Sequence, residues 1–310
     1  MEFGNRFNRS LYNTDLPCSI QSLTFGADFT ESLDFTTFPR DLRSLTLGTY
    51  FDQSLDNTTF PTGLKSLTFG HVFNQPMDKV TLPSGLRNLT FGYSFNHNMD
   101  NMKLPSRLQS LTFGTAFNQS MDNMTFPSGL RSLTLGGEFN QCMDNTTFPS
   151  GLRNLTLGGD QSMDKMSFPS GLQSLTLGAK FNKRMDLVSL PSGLQRLTFG
   201  DKFDQHLENT KFPSGLQSLT FGAEFNQSML NTKLPSGLQS LTFGDKFDQN
   251  VDNMKLPSDL KSLTFGSQFN QRMCIITLPQ SLQSLTFGHR FNHTLLYSVL
   301  PHPEPKRARR

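Results

Sequence analysis

Tryptophan is absent from this 310-residue chain, cysteine occurs only three times, and charged residues make up 17% of it. No run approaches the ~18 consecutive apolar residues that a membrane-spanning helix needs. No apolar segment of signal-peptide type follows Met1, so export is not expected. Charge of one sign is scarce too. The formal net charge is +3, and Lys306, Arg307, Arg309 and Arg310 supply four of the basic residues. Without residues 301–310 there remain 24 basic and 24 acidic side chains. A neutral body lacks the broad cationic footprint of a nucleic-acid binder. Neither nucleic acid nor membrane is therefore expected as a partner of the body.

What the chain does have is 30 Phe, 24 Gly, 17 Pro and 13 Met, a skew that repetition explains. The tetrapeptide Leu-Thr-(Phe/Leu)-Gly recurs with its Leu at 23, 45, 67, 89, 111, 133, 155, 175, 197, 219, 241, 263 and 285. Every step is 22 residues except 155 to 175, which is 20. A fixed period of this length marks a solenoid. With that Leu as position zero, 29 of the 30 Phe fall at +2, +6 or +15, and Phe35 alone is out of register. Gly stands at +3 throughout, Pro at +16, and Met or Leu dominates +10. Met1-Glu2-Phe3-Gly4 occupies the same frame, so about fourteen coils are expected.

One unit reads FPSGLQSLTFGAEFNQSMLNTK, residues 212–233. Its Leu-x-Ser-Leu-Thr-Phe-Gly segment alternates at the end, which predicts a short strand with Leu and Phe inward and Ser and Thr outward. Gly at +3 is expected to turn the backbone out of the strand, and Pro-Ser-Gly to make a second corner. Abundant Asn, Asp, Thr and Gly in the return disfavour helix. The fold class expected is mostly β: a parallel solenoid with little or no helix, over residues 1–301. A Pro-rich, basic and disordered tail over 302–310 follows. A coil cannot bury both faces alone, so stacking supplies the stability.

The segments Phe-Asn and Leu-Pro-x-x-Leu-x-x-Leu-Thr-Phe-Gly resemble the FNIP repeat, with Phe73-Asn74-Gln75-Pro76 nearest to its name. That family is similar to leucine-rich repeats, whose Leu-x-x-Leu-x-Leu strand matches residues 216–221. The resemblance covers residues 1–301. It implies a right-handed, leucine-rich-repeat-like solenoid used for protein–protein contacts. Members of the family often carry an F-box or another effector beside the array. The alternative role is therefore the substrate-recognition array of a ubiquitin-ligase or signalling protein whose effector lies elsewhere.

Chemistry is hard to place on such a surface. His71, His97, His206, His289, His293 and His302 fall at several repeat positions without a metal-like spacing. Cys18, Cys142 and Cys274 lie more than five coils apart, too far for a disulfide whose Cα atoms need ~7 Å. Free thiols point to a reducing compartment, the cytoplasm. A repeated Ser makes no unique nucleophile, so no catalytic, cofactor-binding or metal-binding residue is singled out and a non-enzymatic scaffold is expected. Asn or Asp at +7 is expected to form a buried amide ladder. Asp at +11 makes a like-charged column, expected to serve as a structural turn and to be relieved by turn hydrogen bonds with Asn at +12 and by solvent screening.

Selectivity is expected where the repeat varies, at +4 and +5. The candidate contact residues for an unidentified protein partner are Tyr50, His71, Tyr93, Lys180, Lys202, Lys246 and Arg290. Uncapped parallel strands also admit end-to-end self-association. The regular Ser-x-Thr face resembles the hydroxyl lattice of ice- or surface-binding solenoids, a more remote option. Lys306, Arg307, Arg309 and Arg310 form a basic run of nuclear-import type. The short passage at Gly159-Asp160-Gln161-Ser162 lacks its Phe and Asn and is expected to be slack.

Overall fold

The computed structural model describes residues 1–295. These divide into two compact units, Met1–Leu172 and a second beginning at Gln173. The first unit contains β1 (Ser22–Thr24), β2 (Ser44–Thr46), β3 (Ser66–Thr68), β4 (Asn88–Thr90), β5 (Ser110–Thr112), β6 (Ser132–Thr134) and β7 (Asn154–Leu157). The second contains β8 (Ser174–Leu177), β9 (Arg196–Thr198), β10 (Ser218–Thr220), β11 (Ser240–Thr242), β12 (Ser262–Thr264) and β13 (Ser284–Thr286). Within each unit neighbouring strands pair in parallel with the repeat Leu residues in register, as Leu89 with Leu111 and Leu219 with Leu241. No helix occurs among the described residues. Thirteen strands and one bridge, Glu2 to Thr24, take the place of the fourteen coils expected. That bridge sits in the frame of Met1-Glu2-Phe3-Gly4.

The alternation in the strands sets the core. Position zero Leu is fully buried in Leu23, Leu67 and Leu219, while the Ser or Asn before it is half-buried or exposed. Phe at +6 is completely buried in Phe29, Phe95 and Phe225. It stacks on Phe at +2 of its own coil, as Phe91 on Phe95 at 3.9 Å, and follows its counterpart in the next coil, as Phe95 and Phe117 at 6.2 Å. Each buried ring contributes about 2–3 kcal/mol, and each ring pair about 0.5–1.5 kcal/mol more. The Phe-rich composition is thus ladders of rings at +2 and +6, with shorter runs at +15 such as Phe38 and Phe60 at 6.2 Å.

Three tight turns close each coil. The N–H at +6 donates to the carbonyl at +3, as Phe51 to Gly48 at 3.2 Å. The N–H at +13 donates to +10, as Thr58 to Leu55 at 3.0 Å, and Leu64 donates to Pro61 at 3.0 Å. The middle corner falls at +11 and +12, where Asp and Asn were expected to make turn hydrogen bonds. Phe35 occupies that +12 position with φ 60° and lies 72% exposed. A bulky side chain is costly in this left-handed region.

Glycine at +3 has a different purpose from the one expected. No glycine among the described residues has a positive φ, so conformational freedom is not what the position requires. A Cβ on Gly92 would overlap the carbonyl oxygen of Gly70, and one on Gly222 that of Gly200. The coils approach so closely here that only hydrogen fits.

The shortened passage has a feature of its own. Gln161 is 3% exposed, and neither its amide oxygen nor its nitrogen has a partner among the described residues. The deletion draws a polar side chain into the interior. In the first unit the +6 ring column runs from Phe7 to Phe139, and in the second from Phe181 to Phe291.

Candidate functional site

Two sets of exposed columns run along the coils. The first is the rim at +4 and +5, held rigid because each +5 N–H donates to the +4 carbonyl of the preceding coil, as Val72 to Thr49 at 3.0 Å. In the first unit this rim is uncharged and carries aromatic rings from Thr49 to Ala116, with Arg6 and Asp28 before that stretch and Glu138 and Asp160 after it. The ring of His71 stacks on Tyr93 with centroids 4.7 Å apart and planes 6° from parallel. Tyr50 is 54% exposed and Tyr93 48%. In the second unit the rim carries charge. Glu224 receives Lys202 at 2.6 Å and faces Lys246 at 3.6 Å. The hydrogen bond from Lys202 holds the Glu224 carboxyl below its ordinary range, and the same bond raises the Lys202 ammonium above its own.

The expected contact residues are therefore not equivalent. His71 and Tyr93 form one surface, with Tyr50 on the preceding coil. Lys202 and Lys246 are brought together by Glu224 rather than left open to a partner. Lys180 stands one coil before Lys202 and is exposed, as is Arg290. Residues 302–310, including Lys306, Arg307, Arg309 and Arg310, lie outside the described residues.

The amide ladder at +7 exists, but on the surface instead of in the interior. The N–H of Asn96 donates to Oδ1 of Asn74 at 2.9 Å, that of Asn118 to Asn96 at 2.9 Å, and that of Asp248 to Asn226 at 2.9 Å. Gln at +8 adds a second rail, as Gln119 Nε2 on Asn96 Oδ1 at 3.0 Å. His97 and His293 take that place with Nε2 on a carbonyl at 2.8 and 3.0 Å. A carbonyl only accepts, so the proton sits on Nε2 in both. The +11 carboxylates are met from the next coil, as Asn123 Nδ2 on Asp100 at 3.3 Å. Cys18, Cys142 and Cys274 are free and exposed. Among the described residues no three His, Cys, Asp or Glu side chains gather as a metal site would.

The second column lies at −2, two residues before the strand Leu, and sequence reasoning missed it. In the first unit it reads Gln21, Arg43, Lys65, Arg87, Gln109, Arg131, Arg153; in the second it reads Gln173, Gln195, Gln217, Gln239, Lys261, Gln283. Net charge concealed this sorting, because the first unit has 12 basic and 15 acidic side chains. Reading −2 as its own column would have exposed it. Some of these cations are structural. Arg43 Nη1 donates to the Gly63 carbonyl at 3.0 Å, and Arg153 Nη1 to that of Gly171 at 2.7 Å. Arg87, Arg107 and Arg131 have no side-chain partner among the described residues. With Arg153 they line a groove of about 530 Å³ that includes no acidic and no aromatic residue. A second groove, of about 530 Å³, lies beside Phe35, Phe38 and Phe60.

The family model described as FNIP Repeat matches in overlapping segments from residue 7 to residue 303, among them 7–50, 73–116, 117–160, 203–246 and 269–303. Among solved structures, the chain is similar to CroV588, a circular leucine-rich-repeat protein, with TM-score 0.87 and 37% identity. The match covers 97% of this chain and 44% of that protein's length. Internalin InlF from Listeria monocytogenes matches with TM-score 0.49 and 12% identity, over 94% of this chain and 88% of that one. Comparison with curated proteins gives no match.

Proposed function

Because the chain belongs to the FNIP repeat family, we propose that it is a non-enzymatic scaffold that binds protein through its exposed columns. One observation carries this reading. The interior positions repeat almost without change, while +4, +5 and −2 vary from coil to coil on a rigid, hydrogen-bonded frame. Variation confined to the surface of a regular array is how a solenoid encodes a partner. In its finer form, the array holds a substrate for an effector such as a ubiquitin ligase.

The test is capture with the tagged full chain as bait, followed by reconstitution of the purified pair. A direct complex is expected, weakened when Tyr50 and Tyr93 are both changed to Ala or when Lys180, Lys202 and Lys246 are all reversed to Glu. A partner indifferent to both sets would remove the rim from the reading, and a bait that retains no protein would remove the scaffold itself. Co-purification of ligase subunits with a captured substrate would establish the finer form. Removal of 306–310 is expected to shift a tagged chain from nucleus to cytoplasm, and an unchanged ratio would reject the import role.

A further inference from the structure

We propose that the arginine groove of the first unit captures a short acidic segment of a protein partner, which names the partner's chemistry and rests on the scaffold reading. The decisive position is −4. Along the array this position is mostly Gly, and its carbonyl receives the −2 cation of the preceding coil, as Gly63 does from Arg43 and Gly85 from Lys65. On the coil after Arg87 the position is Arg107 instead. Arg87 makes no such bond, and neither does Arg131. Arg87 and Arg131 thus share the groove with Arg107 and Arg153, and no carboxylate lines it. Like charges placed together repel unless an anion comes between them. Guanidinium is the group that takes carboxylate or phosphate oxygens through two parallel hydrogen bonds.

Size and composition select the ligand. Arg87 to Arg153 spans three coil steps, about 14 Å at strand spacing. An extended peptide covers that with about five residues at ~3.4 Å each, and its alternate side chains share one face. Gln109 and Ser128 in the groove can bond a peptide backbone. A single-stranded nucleic acid is a poorer fit. It would need aromatic platforms for its bases, and the groove has none. The unit as a whole is also net negative, so a long polyanion is not drawn to it, while a short one is held locally within the ~8–10 Å screening length.

The experiment is fluorescence anisotropy on the full chain with three labelled probes: a Glu/Asp-rich peptide, the same peptide with phosphoserines in place of its acids, and a short oligouridine. The variant is Arg87→Gln with Arg131→Gln. Gln stands naturally at this position in Gln109 and most of the second unit, so the fold is expected to survive, with circular dichroism as the check. At least one peptide is expected to bind, to weaken with salt, and to lose about tenfold or more in the variant, the scale of charge pairs across an interface. Which peptide binds better tells carboxylate from phosphate. Lys202→Gln with Lys246→Gln should leave binding unchanged. Failure of both peptides to bind, equal binding by the arginine variant, or tighter binding of oligouridine would each overturn the proposal. A captured partner that the arginine variant still holds would remove the groove and leave the scaffold reading intact.

Discussion

The two units are built from the same coil and differ in what they present. In the first, the −2 column is cationic and the rim carries stacked His71 and Tyr93. In the second, the −2 column is Gln but for Lys261, and the rim binds its own charges through Glu224. Their interiors are interchangeable: Phe95 and Phe225 are equally buried, and Gly92 and Gly222 press on their neighbours in the same way. The interior positions answer to packing, which tolerates one solution per position. The exposed columns answer to solvent or a partner, so they can diverge without cost to the fold. Divergence between units, more than any single residue, marks where specificity is written.

The largest expected effect tests the shared interior. Gly92→Val in the first unit and Gly222→Val in the second should each cost about 3–5 kcal/mol, the range of severe core disruptions. The added side chain must push two coils apart and break their parallel bonds. Denaturant unfolding of each variant, with hydrogen exchange to localise the loss, reads this directly. If one unit tolerates Val and the other does not, the two do not share one coil geometry.

A smaller effect should set the first unit apart. Gln161 has a buried amide without a partner among the described residues, and such a group costs about 1–3 kcal/mol. Gln161→Leu is expected to stabilise the region by about 1–2 kcal/mol on the same grounds. Amide exchange in residues 155–166 should slow, while exchange around Phe225, whose slot is already apolar, should not. Exchange left unchanged at 155–166 would mean that the amide is satisfied after all, by water for instance.

Much of this was legible in the chain itself. The period, the register of Phe, Gly, Pro and Leu, and the family resemblance all follow from residues that pack or turn once per coil, so repetition amplifies each signal. What escaped notice obeys a different logic. Gly at +3 read as a flexible turn residue, since a residue's own conformation is local and the contact with the next coil is not. The +7 amides read as buried because a ladder suggests an interior, yet the ladder closes on the surface. The burial of Gln161 went unread because a deletion shows which residues are missing and not which neighbour is drawn inward. The arginine column went unread for a simpler reason: averaging charge over the body cancelled it against carboxylates at another corner of the coil.

The smallest effect concerns the second unit's rim, and it separates paired charge from charge available to a partner. The Lys202 hydrogen bond keeps Glu224 below its usual value of 4.5 and raises Lys202 above its usual 10.5. For Glu224 the favourable contribution is present above the unfolded value and is lost as pH falls through the lower folded value. For Lys202 it is present below the unfolded value and is lost as pH rises through the higher folded one. The pair therefore persists from moderately acid to strongly alkaline solution. Both groups are exposed, so solvent screens them and Glu224→Gln should leave the unfolding curve where it was. The change belongs in the titration: Lys202, followed by NMR, should return to the ordinary lysine value in Glu224→Gln, and Lys246 should become more mobile. With its lysines released, the second unit would gain the open positive charge that the first already carries at −2, and acidic-peptide binding there should rise. A Lys202 titration unmoved by the substitution would mean that the rim is not held by Glu224, and the contrast between the two units would then rest on the −2 column alone.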